Sequence, residues 1–140
     1  MSAWRIALVV IVASFIASMT DWLFNGLLFH ARYLINPEVW RVGVGEGTKI
    51  LYSEIGGVLA CLGFAVLAAA LRLSTLRSLL TAAILVWAAA TVPVIIDYGI
   101  WVKIDPLVLS SQAIGWLVRL LITAVLLRIL AGMGTAAHQA

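Results

Sequence analysis

An all-α fold, a transmembrane four-helix bundle in up-down-up-down order, is predicted for this chain of 140 residues by three observations. Four apolar runs, at about 5–29, 50–71, 76–96 and 107–130, each approach or exceed the roughly 20 residues that carry a helix across a bilayer. Hydrophobic residues make up 64% of the chain and charged residues only 11%, a balance that excludes a soluble domain. Three of the four runs are joined by short links, of four and ten residues, which make consecutive helices antiparallel neighbours. The runs take up most of residues 1–140, so a single integral membrane domain is expected, with no soluble module large enough to fold alone.

The first span opens with Arg5, an apolar stretch and small residues near Ala17, which are features of a signal peptide. The apolar character continues to Phe29 and the basic region is Arg5 alone, so the segment is read as a retained span. Ser14, Ser18, Asp21 and Asn25 recur at intervals of four, three and four, which places them on one stripe of a helix.

The loop 30–49 is the longest connection. Asn36 as cap, Pro37 as helix opener and Trp40 as anchor predict a short interfacial helix there. Gly43-Val44-Gly45-Glu46-Gly47 lacks the spacing of the phosphate-cradling motifs and follows no strand, so it is read as a flexible linker. His30 is assigned to the headgroup level. His138 is the only other histidine, and the two make no zinc spacing.

In the second span, Gly56-x-x-x-Ala60 and Gly57-x-x-x-Cys61, continued by Ala68, Ala69 and Ala70, form a small-residue face for close helix approach, within the monomer or in an oligomer. Cys61, the single cysteine, is read as a packing residue on that face. Glu54 lies only about 6 Å below Ile50 by helical rise. It is expected to reach the interface in preference to carrying protons.

Arg72–Thr75 links spans two and three, and Asp97–Pro106 links three and four. Pro93 should kink the third span and free a carbonyl to line a polar pocket, with Asp97 at the mouth. Asp105 as cap and Pro106 at the first helical position set the start of the fourth span. There Gln112, Gly115, Arg119 and Thr123 form a second polar stripe.

Lipid cannot hydrogen-bond either stripe, so the two are expected to face each other. Inserting Arg119 costs roughly 2.5–3.5 kcal/mol, which the apolar residues of its span offset. A partner is therefore needed to explain where the side chain points, not whether the helix inserts. Asp21 and Arg119 lie at depths differing by about 6 Å, within the reach of an arginine, so an Asp21–Arg119 ion pair is predicted. Trp116 lies three residues before Arg119; stacking on the guanidinium and lipid-facing bulk both stay open.

Arg5, Arg72, Arg77 and Arg128 fall at one pole and Arg32, Arg41, Lys49 and Lys103 at the other, so basic residues alone do not orient the bundle. Every acid maps to the second pole. The short Arg72–Arg77 hairpin is of the kind kept in the cytoplasm, which places both termini inside. Trp4, Trp22, Trp40 and Trp101, with Tyr33, Tyr52 and Tyr98, read as interfacial anchors, whereas Trp87 and Trp116 lie deep in their spans. The net charge of +3 is dispersed and forms no run, so the expected partners are the lipid bilayer and possible further copies or another membrane protein, not nucleic acid.

The segment Trp22-Leu23-Phe24-Asn25-Gly26-Leu27-Leu28-Phe29, followed by Trp40, resembles the end of the first helix in an uncharacterised family of small bacterial four-helix integral membrane proteins. Asn25-Gly26 stands here where that family has a Ser-Pro-like pair. The resemblance implies an architecture and a bacterial inner-membrane location, and no reaction.

The functional expectation is a non-catalytic accessory subunit, or a protein binding a lipophilic ligand or a partner. Its polar seam comprises Asp21, Asn25, Glu54, Asp97, Gln112, Trp116 and Arg119. An oligomeric proton-linked carrier or small-solute transporter using Asp21, Glu54 and Arg119 is the alternative. A membrane enzyme acting on a lipid-soluble substrate ranks third, because no Ser-His-Asp set, Cys-His pair or nucleotide fingerprint occurs. No cofactor is expected. An oxygen-rich metal site from Asp21, Asn25, Glu54 and Asp97 ranks below all three.

Overall fold

The computed structural model describes residues 3–36, 38 and 42–130. Four long apolar helices pack antiparallel, and the described residues include no strand. The first span is α1 (Ala3–Asp21), continued to Leu28 by a π-helical segment, Trp22–Leu28. A single turn, α2 (His30–Tyr33), follows. The second span is α3 (Glu46–Ala70). The third is α4 (Leu76–Val86), a π turn (Trp87–Thr91) and α5 (Val92–Trp101). The fourth is α6 (Pro106–Leu130). The interfacial helix expected around Pro37 and Trp40 lies outside the described residues, as does His138.

Helix ends follow local chemistry. The second span closes on a Schellman turn, in which Leu73 N–H donates to Ala68 O (3.0 Å) and Arg72 N–H to Ala69 O (3.1 Å). Arg72 takes the left-handed conformation there, φ 52°, a place that glycine would fill with less strain. Three residues on, Thr75 caps α4 in a capping box with Ser78. Asp105 caps α6 through Leu107 N–H (2.8 Å) and also meets Arg32 at 3.6 Å, tying the first loop to the start of the last span. Helix α6 begins at Pro106, where the Asp-Pro pair predicts it.

Two expected boundaries shift. Helix α3 begins at Glu46, four residues before the apolar run, because Gly45 leaves the chain extended just ahead of it. Helix α5 continues to Trp101, past Ile96, because the backbone ladder needs no apolar side chains once nucleated. The link between the third and fourth spans is correspondingly shorter than the ten residues expected.

Helix α6 is the hub, with α1, α3 and α4 all packed on it and α1 also packed on α3. Spans two and three share the tightest turn yet touch sparsely, because α6 wedges between them. Contact is close where residues are small: Ala13, Cys61, Ala65, Ala68, Ala83 and Ala124 are all fully buried. They join Val9, Phe64, Leu79, Leu120 and Leu127 in a dry core that fills the half of the bundle nearer the Arg72 hairpin. The Gly57, Cys61 and Ala68 part of the α3 small-residue face thus packs within the monomer, while Gly56 and Ala70 lie outside that contact.

The third span is the least enclosed, and none of α5 is buried. Pro93 cannot donate to the carbonyl four residues back, and the turn before it widens so that Val92 N–H reaches Trp87 O, five residues back. Trp87 crosses to the hub, its indole N–H donating to Ala113 O at 2.8 Å.

A candidate binding cavity around an intramembrane ion pair

Arg119 sits at the middle of α6 and is 3% exposed. Its Nη2 donates to Asp21 Oδ2 at 2.5 Å, so the two polar stripes meet across the α1–α6 contact. The guanidinium carbon also lies 5.6 Å from the centroid of Trp116, which selects stacking over lipid-facing bulk for that ring. Thr123, one turn on, donates to Arg119 O (2.8 Å) and spends its hydroxyl on the backbone.

The pair has room because two glycines give way to it. A Cβ on Gly57 would fall 1.8 Å from Arg119 Nη1, and one on Gly115 would fall 2.6 Å from Asp21 Oδ1. Gly57 is therefore the bed on which the guanidinium lies, and Gly115 makes space for the carboxylate. In the sequence Gly57 reads only as part of a helix-packing face. The usable signal was a glycine at the depth of an intramembrane arginine on a neighbouring span.

Toward the acidic pole the seam opens into a cavity of about 500 Å³, lined by Asp21, Asn25, Tyr33, Lys49, Ile50, Ser53, Glu54, Gln112, Trp116 and Arg119. Asn25 lies in the π-helical segment and lines the same cavity as Asp21. Its Oδ1 accepts from the Tyr33 hydroxyl at 2.8 Å and from Ser111 Oγ at 2.9 Å. Tyr33 is not the interfacial anchor expected of it. Helix α2 folds back over the bundle end, half-burying the ring above the cavity. That burial raises the phenol above its ordinary pKa of 10.0; the Asp21 charge acts the same way, while hydrogen bonds with Gln112 and Ser111 oppose it.

Glu54 reaches inward and not out to the interface: Ser18 donates a hydrogen bond to its carboxylate across the α1–α3 contact. Among the described residues no cation lies within 4.0 Å of that carboxylate. Asp97 does not join the seam. It is exposed on α5 and accepts from the Trp101 indole at 3.0 Å, because its helix packs on the outer side of α6. The carbonyls around Pro93 do not reach the cavity either, for the same reason: no residue of the third span lines it. Lys49, Ser53 and Tyr33 line the cavity and carried no site assignment in the sequence. A first-turn lysine, a lone serine and a loop tyrosine have no periodic signature.

No protein-family model, curated protein or solved structure matches the chain. Its chemistry is therefore read from its own side chains. Among the described residues no three His, Cys, Asp or Glu side chains converge as a metal site would require. The arrangement offers a polar, partly aromatic cavity with one ion pair at its floor, a second carboxylate on its wall and a lysine toward the mouth. It can hold and orient a small polar group within the depth of the spans.

Proposed function

We propose that this small polytopic membrane protein is a non-catalytic binding protein, a receptacle with one mouth for the polar end of a lipid-soluble molecule. The observation that carries the reading is the cavity of about 500 Å³, whose volume lies in the range of small-molecule sites and whose polar groups converge from three spans. The inner end of the polar stripe favours binding over conduction. It runs from Asn25 through Asp21 and Ser18 to Ser14, which is buried and has no hydrogen-bond partner among the described residues. Between Ser14 and Arg5 the first span carries no polar side chain over roughly 13 Å of helix, against a core of Val9, Val10, Phe64 and Leu127. A proton or ion would find no polar group on the first span along that stretch, at a cost of several kcal/mol.

The carrier reading keeps Asp21, Glu54 and Arg119 as its best residues and ranks second. The Arg72–Arg77 hairpin supports cytoplasmic termini, which would put the mouth on the opposite side of the membrane. The resemblance of Trp22–Phe29 to small bacterial four-helix proteins fits this placement in an inner membrane.

The test uses proteoliposomes of Gln112→Cys in a Cys61→Ala background. A membrane-impermeant maleimide is expected to label the thiol introduced at position 112 from one face only, Ala13→Cys is expected to stay unreactive, and an imposed pH gradient is expected to persist. Labelling of the Gln112→Cys variant from both faces, or dissipation of the gradient, overturns the receptacle.

A further inference from the structure

Resting on the receptacle reading, we infer that the cavity selects a protonated amine, with Glu54 as its counter-ion. The argument is one of unmet partners. Four charged side chains line the cavity, and two of them, Asp21 and Arg119, neutralise each other. Lys49 is exposed in the first turn of α3, about 7.5 Å along the helix from Glu54 and five residues away, a spacing that does not stack side chains on one face. Glu54 is left with the Ser18 hydroxyl as its hydrogen-bond donor and no cation within 4.0 Å among the described residues. A carboxylate so placed is a counter-charge for a cationic guest.

The walls suit the guest. Trp116 and Tyr33 offer aromatic rings, and Asn25, Gln112 and Ser53 offer side-chain oxygens, the mixed surface that holds ammonium groups. An anionic guest would meet Glu54 and Asp21 with the Arg119 charge already spent. Nor does the floor offer an anion a donor: the Arg119 side chain is 4% exposed, its Nη2 is held by Asp21, and its Nη1 is buried against Gly57. A guest carrying an ammonium group supplies the missing cation.

The test is calorimetric titration of the full chain in nanodiscs, with empty nanodiscs subtracted, using three probes of nearly equal shape: 2-amino-1-phenylethanol, 1-phenyl-1,2-ethanediol and mandelate. The amine is expected to bind at least tenfold more tightly than the diol, and mandelate least. Glu54→Gln is expected to abolish the preference for the amine, and Glu54→Asp to retain part of it. The aspartate variant guards against misreading a folding defect, since it preserves the charge. Equal binding of amine and diol, or a preference that survives Glu54→Gln, overturns the amine assignment and leaves the receptacle standing. Failure of all three probes to bind, together with labelling of the Gln112→Cys variant from both faces, overturns the receptacle itself.

Discussion

Gly57→Ala tests the seam without touching either charge. The added methyl carbon would sit 1.8 Å from Arg119 Nη1, 2.4 Å from Cζ and 2.9 Å from Nη2, whereas ordinary contact begins at 3.4 Å. The guanidinium must therefore retreat by about 1.6 Å, measured against those contact limits. A free arginine would do so at little cost. This one is 3% exposed, paired through Nη2 and hemmed by Trp116, so retreat means weakening the 2.5 Å contact with Asp21. Stranding one member of a buried pair costs about 3–5 kcal/mol. Asp21 is 30% exposed, which lowers the figure, and alanine's better helix propensity returns about 1 kcal/mol. The expected net loss is about 1–3 kcal/mol. Gly56 is the built-in control, because a Cβ there meets nothing within 4 Å and its replacement should be neutral or stabilising by up to about 1 kcal/mol. Equilibrium unfolding in mixed micelles, followed by helicity, measures both. Equal stability of the two variants would refute the claim that the guanidinium is pinned on Gly57.

Three other perturbations bear on the same site. Asp21→Asn and Arg119→Gln should each destabilise, Asp21→Asn by about 2 kcal/mol or more because it strands the buried cation, and the double variant should recover part of the loss in a double-mutant cycle; strict additivity would deny the pair. The Tyr33 phenol titrates above 10.0 when folded, so unfolded chains lose that proton first as pH rises. Its contribution to stability is intact below about pH 10 and is lost as pH climbs through the folded value. Melting curves between about pH 8 and 12 should show a steeper alkaline decline for the parent than for Tyr33→Phe, and identical slopes would contradict it. Asp97→Asn should change stability by no more than about 0.5 kcal/mol and leave probe binding intact, because the group is an exposed side chain outside the cavity; a loss of binding would return it to the seam.

What the residue order determined is what bilayer chemistry dictates one segment at a time. Four runs long enough to span, an Asp-Pro start for α6, and polar residues every three or four positions on two helices each have a local cause: unsatisfied polar groups cannot face lipid. The Asp21–Arg119 contact was legible because only one carboxylate combined the right stripe with the right depth. Tertiary structure alone decided which helix became the hub, and with it the fate of Asp97 and Pro93. Their sequence features are like those of the seam residues, but α6 separates their span from the cavity. It also decided that Glu54 turns inward to Ser18, that Tyr33 folds over the cavity, and that Gly57 carries the guanidinium. Each of these depends on the angle and register between helices distant in the chain, set by close packing of small residues. A periodicity of 3.6 specifies which face of a helix is polar, and leaves unspecified which neighbour that face will meet.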